Sequence, residues 1–116
     1  MKVLVEGHQY EVENFENKTE KGQIIQFIHK EPIPDEQIAN DDNTVTIKSG
    51  MLKTVSDGTT NEELMEVLIN RMSYLQSKFP CRENALTITK LEEALNWQHK
   101  ITADRVKRNV EGKHKA

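Results

Sequence analysis

Two groups of side chains in this sequence have the chemistry to hold an anionic ligand with a flat ring. Arg82 follows Phe79-Pro80-Cys81, and Arg105, Arg108, Lys113 and His114 gather near the C-terminus. A guanidinium fork or the free amides of a helix N-terminus takes phosphate, an aromatic or guanidinium face takes a base, and short polar side chains take sugar hydroxyls. Phe79, Asn84 and Thr89 supply the last two kinds beside Arg82, and Trp97 stands further along. Catalysis asks for something else, a nucleophile or a matched acid and base. His8, His29, His99 and His114 are scattered, Cys81 is the one cysteine, and neither a glycine-rich phosphate loop nor a Ser-His-Asp order is present. His99 and Cys81 lack zinc-ligand spacing. No catalytic residue, metal or cofactor is expected.

Each candidate also has a plainer reading. Phe79 before a proline suits a plug at a helix turn, and Trp97 with Ile101 suits an interface between subunits. Arg105 and Arg108 suit the negative end of a helix dipole, and Arg82 suits an ion pair with Glu83. Asn84 and Thr89 enter only through their nearness to the hairpin end.

The elements that must position these residues are clearest in the second half. Asp57-Gly58-Thr59 breaks the chain, and Thr60-Asn61-Glu62-Glu63 matches a capping box. Leu64, Val67, Leu68, Met72 and Leu75 then recur at helical spacing until Phe79-Pro80 stops the helix. From Arg82 to about Arg108 the chain has no glycine or proline and keeps a stripe of Ala85, Ile88, Leu91, Leu95 and Trp97, continuing to Ile101 and Val106. Helices of about 18 and 27 residues span roughly 27 and 40 Å, so the second overshoots the first by roughly 13 Å. Trp97 and Ile101 are expected in or near that overhang, where a second subunit would cover them.

The first half reads as β-structure. Val3, Val5, Tyr10, Val12 and Phe15 alternate with polar residues across a Gly7-His8 turn, and Ile24, Ile25, Phe27 and Ile28 form a third strand stopped by Pro32 and Pro34. Asp35 to Asn43 reads as an exposed loop. Thr44 to Lys48 reads as a strand, with Met51 to Val55 pairing back onto it. The expected fold is α+β: a small N-terminal antiparallel β region, 1–57, then a long antiparallel helical hairpin with a basic tail, 58–116, in an oligomer.

Composition sets the bounds. With 116 residues, 35% hydrophobic and 30% charged, the chain has room for a modest core only, and oligomerisation is the ordinary remedy. A single cysteine excludes an intrachain disulfide and fits a reducing cytosol. Glu6 interrupts the N-terminal apolar residues too early for a signal peptide, and no apolar run reaches membrane-span length. Six bases against two acids from Lys100 to Ala116 leave +4 there and, within a net charge of −3, −7 elsewhere. An acidic body with a basic tail argues against a general DNA binder and allows a local anion site.

The block Phe79-Pro80-Cys81-Arg82-Glu83-Asn84, followed by Thr89-Lys90-Leu91-Glu92-Glu93-Ala94-Leu95-Asn96-Trp97, resembles the hairpin domain of phage anti-Thoeris and anti-CBASS sponge proteins. Asn70-Arg71-Met72 and the tail from Thr102 to Lys115 extend the likeness to roughly half the chain. The β-rich first half inclines it to the anti-Thoeris branch, since the anti-CBASS members are shorter and nearly all helical. Asn109 stands where a glycine is common in that pattern, Lys113 where threonine is, and Gln98 where leucine is.

The resemblance implies a dimer-based homo-oligomer, with a hexamer among the assemblies it allows. Its pockets would capture cyclic ADP-ribose isomers made by Thoeris, or cyclic oligonucleotides of CBASS, in the cytoplasm of an infected bacterial host and without degrading them. Phe79, Arg82, Asn84, Thr89, Arg105, Arg108, Lys113 and His114 are the ligand residues on this reading. The alternative is an oligomeric helical scaffold or regulator whose basic tail binds protein or nucleic acid.

Overall fold

The computed structural model describes residues 1–48 and 50–107, as seven strands followed by two helices. They fall into two compact units, Met1–Gly58, with which the described residues from Arg105 on are grouped, and Thr59–Asp104.

In the first unit β1 (Lys2–Val5), β2 (Gln9–Val12) and β3 (Gln23–Gln26) form an antiparallel sheet in that order. The β1–β2 turn needs a left-handed residue and Gly7 supplies it at φ 78°, with His8 N donating to Val5 O at 3.0 Å. Gly22 enters β3 so close to β2 that a Cβ there would collide with the Val12 carbonyl oxygen. β4 (His29–Pro32) pairs with β7 (Leu52–Ser56), and between them β5 (Glu36–Ala39) pairs with β6 (Val45–Lys48). The β5–β6 turn is closed by Asp42 Oδ1, which accepts from Thr44 N at 3.1 Å and Thr44 Oγ1 at 2.5 Å. Those bonds hold the Asp42 carboxyl below its usual pKa. The half-buried centre of this unit is aromatic: Tyr10 meets Phe27 edge-on at 5.9 Å, and His8 stacks on His29 at 3.6 Å while His29 Nε2 pairs with Glu31 Oε1 at 3.2 Å.

Three readings of the β region change. Glu36–Ala39 is a strand where a loop was expected, because β6 offers it an antiparallel edge that composition does not reveal. The segment after Gly50 pairs with β4 and not with Thr44 to Lys48, so one hairpin nests inside another. Phe15 lies beyond β2 and is 91% exposed.

The second unit is an antiparallel helical hairpin. α1 (Asn61–Lys78) starts at Thr60, whose backbone is extended and whose side-chain hydroxyl accepts the Glu63 amide at 3.2 Å. The reciprocal bond of a capping box, donated by the Thr60 amide to the Glu63 carboxylate, is not among the hydrogen bonds of the described residues. Glu62 and Glu63 face the positive end of the dipole, and Phe79 closes the helix with its amide on Leu75 O at 2.8 Å. α2 (Arg82–Lys107) runs 26 residues, about 39 Å, with Arg105 and Lys107 in its last turn.

Met65, Ile69 and Met72 of α1 and Ile88, Leu91 and Leu95 of α2 are half-buried at the i, i+3, i+4 spacing of a seam. No described residue is fully buried, and no described helix is long and apolar enough to cross a membrane.

Thr60→Ala removes the acceptor for the Glu63 amide and should cost about 1 kcal/mol in a urea titration followed by helical circular dichroism. Gly22→Ala should destabilise the β1–β2–β3 sheet by roughly 1 to 3 kcal/mol, since backbone must move to admit the methyl group. Amide exchange on β2 and β3 would report it first.

Candidate functional site

The link between the helices is three residues long, Phe79, Pro80 and Cys81, and its polar groups must be satisfied within that span. Cys81 stands at the N-cap position of α2. Its carbonyl accepts from Ala85 N at 3.2 Å, and its Sγ accepts from Asn84 N at 3.4 Å in place of the usual hydroxyl. The Cys81 amide donates to Gln76 Oε1 on α1 at 3.0 Å, and the Asn84 side chain reaches back to Phe79 O at 3.5 Å. Pro80 contributes no amide, which suits the entry to a helix.

This bracing presents Phe79, 74% exposed, and, three residues on, the exposed Arg82. The reading of Phe79 as a plug inside the hairpin is thereby removed. The amides of Arg82 and Glu83, in the first turn of α2, have no intrahelical acceptor. An aromatic face, a guanidinium, the side-chain amide of Asn84 and a helix N-terminus therefore occupy one end of the hairpin. Thr89 is exposed on α2 about two turns further along.

Arg105, the one described residue of the C-terminal group, stands apart from this end. Arg105 is exposed and in the last turn of α2, about 35 Å from Arg82 along the helix, so within one chain the two ends do not meet. Arg108, Lys113 and His114 lie outside the described residues. Lys100, at the beginning of the basic stretch, is paired with Asp104 at 3.1 Å.

Trp97 is 66% exposed and Ile101 45% exposed. Their exposure has a different cause from the expected overhang. Asn61 Nδ2 donates to Gln98 Oε1, and Thr102 Oγ1 donates to Glu62 Oε1, both at 3.4 Å. The start of α1 therefore lies beside 98–102, and only 103–107, roughly 8 Å, extends past it. Trp97 and Ile101 each precede a residue that reaches α1, a rotation of about 100° that turns them away from it. Gln98 and Asn61 thus form a polar contact between the helices.

A groove of 380 Å³ runs along another flank, lined by Glu66, Ile69, Asn70, Ser73, Glu92, Leu95 and Asn96. Two carboxylates and no base make it a poor phosphate site. The residue that sequence reasoning missed is Gln76. The sequence carries no clear signal for it; only the structure places 76 with 65, 69 and 72 on the half-buried side of α1, where an amide needs a polar partner.

Residues 39–103 match the family model for the Acb2/Tad1 hairpin domain. The chain belongs to this family. A relative named Thoeris anti-defense 1, from Bacillus phage SBSphiJ7, is 44% identical over 101 aligned residues, covering 72% of this chain and 71% of the relative. The Acb2/Tad1 match begins inside β5 and takes in β6, β7 and nearly all of the hairpin. Phe79, Arg82, Asn84, Thr89, Trp97 and Ile101 lie inside it, and Arg105, Arg108, Lys113 and His114 beyond it.

Because its ring packs on so little, Phe79→Ala should cost under about 0.5 kcal/mol in thermal unfolding. A larger loss would show that the ring has a structural role.

Proposed function

We propose that this Acb2/Tad1 family protein is a phage anti-defence protein that captures a cyclic nucleotide immune signal and holds it unchanged. The observation that carries the reading is the 44% identity to Thoeris anti-defense 1, together with a family match that takes in nearly all of the hairpin. The signals it fits are cyclic ADP-ribose isomers of Thoeris, with CBASS cyclic oligonucleotides as a second class. Phe79 takes a base face, Arg82 and the first amides of α2 take phosphate, and Asn84 and Thr89 contact sugar or base edges. Arg105 and Arg108 supply further positive charge.

The pocket is shared between copies of the chain. Arg82 and Arg105 are about 35 Å apart along one helix, so a ligand the size of a cyclic dinucleotide reaches both only where antiparallel hairpins from different chains lie side by side. Trp97 and Ile101, turned away from α1, supply the apolar surface for that packing. Capture suffices for the role: a stoichiometric inhibitor must hold the signal below its effector's threshold, which calls for nanomolar affinity, about −12 kcal/mol.

Calorimetric titration against cyclic ADP-ribose isomers and cyclic oligonucleotides at physiological salt should show tight binding with fixed stoichiometry, and heating the complex should return the nucleotide intact. A new chemical species, or only weak binding that salt abolishes, would count against capture. Arg105→Ala and Arg108→Ala should each weaken binding about tenfold, near 1.4 kcal/mol, with the assembly unchanged by light scattering. Trp97→Ala should instead lower the mass of the assembly; an unchanged mass would remove Trp97 from the interface.

A further inference from the structure

We infer that Gln76 is a positioning residue for the ligand end of the hairpin, acting through the Cys81 amide; the inference rests on the capture reading above.

In a capping box the side chain of the third helical residue returns to the amide of the N-cap residue. Asn84 is that third residue in α2, yet its side chain goes to Phe79 O and not to Cys81 N. The Cys81 amide is taken instead from the opposite helix, by Gln76 Oε1 at 3.0 Å, five residues earlier in the chain. Since an amide donates this bond, the Gln76 atom facing it must be the oxygen, which fixes the orientation of the carboxamide. With Cys81 N satisfied from α1, Asn84 is released to hold the other side of the link. The two bonds cross a connection in which Pro80 contributes no donor, so they and the Phe79 amide on Leu75 O account for how the chain turns there.

The consequence falls on Phe79 and Arg82. Neither is held by packing, because both are exposed. Their separation and direction are set by the backbone between them, and Gln76 is the side chain of α1 that pins this backbone to the start of α2. A site assembled from an aromatic face and a guanidinium loses affinity when the two are free to drift, because binding must then order them. Gln76 is half-buried in the line of the helix seam, where a methionine would pack equally well. Its selection there is explained by the acceptor.

Two variants separate acceptor from packing. Gln76→Met keeps length and helix propensity and removes the acceptor; Gln76→Glu keeps an acceptor. In Gln76→Met, exchange of the Cys81 amide measured by NMR should accelerate at least tenfold, and affinity for the cyclic ADP-ribose isomer that binds best to the unaltered protein should fall at least tenfold. Gln76→Glu should stay within about threefold of the unaltered protein in both. If Gln76→Met lowers only the unfolding midpoint and leaves affinity unchanged, the residue is structural and the inference fails. Equal losses in both variants would also overturn it, since the acceptor would then not be what matters. Absence of binding by the unaltered protein would overturn the capture reading and the positioning role with it, while the Cys81 exchange rates would still report whether the bond itself forms.

Discussion

The dominant constraint on this protein is that its described residues include no fully buried side chain. Each helix has one half-buried stripe and one partner helix, which leaves Trp97, Ile101, Val67 and Leu68 substantially open to water. Helices in proteins draw most of their stability from packing of an apolar face, so a hairpin with such a thin seam depends on its ends being closed well. That explains the care taken at each terminus: Thr60 on the Glu63 amide, Cys81 on the Asn84 amide, acids at the first turns and bases at the last turn of α2. It also means that covering Trp97 with another copy would add stability in proportion to the area removed from water, about 25 cal/mol per Å².

The hairpin was legible in the sequence because its signals are local. A cap, a proline stop, a periodic stripe and a charge gradient lie within a few residues of the features they determine, and the boundaries at Thr60, Phe79 and Arg82 follow from them. Strand pairing is not local in this sense. Nothing in the residues of Leu52–Ser56 distinguishes the edge of β4 from the nearer edge of β6; the choice is made by the nesting of one hairpin inside another, which only the assembled backbone displays. The turn at Asp42 was visible in the turn-forming residues up to Asn43, whereas the strand leading into it was hidden by the same acidic composition.

The candidate site divides along the same line. Phe79, Arg82 and Asn84 were found because they adjoin an obvious break between helices, and the structure places them at one end of the hairpin. Gln76 escaped notice because its partner is across the turn, and a lone amide in a helix ordinarily faces water. The direction of Trp97 escaped for a related reason. Helix lengths give an overhang, but they do not give rotation, and a single residue step is enough to turn a side chain from the partner helix to the outside.

Charge then distinguishes the hairpin's surfaces. The groove between Glu66 and Glu92 offers volume but repels an anion, while the start of α2 offers little enclosure but combines a positive dipole end, a guanidinium and an aromatic ring. On charge alone the end of the hairpin suits the proposed anionic ligand better than its flank does. Enclosure is what that end lacks in a single chain, and an exposed ring and guanidinium in water bind weakly, since water competes for both. The physical requirement for tight capture is a second surface that excludes this water without adding negative charge. In the proposed assembly the basic end of another copy's α2 would supply a surface of the right sign, and the outward apolar residues of the same helix would be the means of bringing it there.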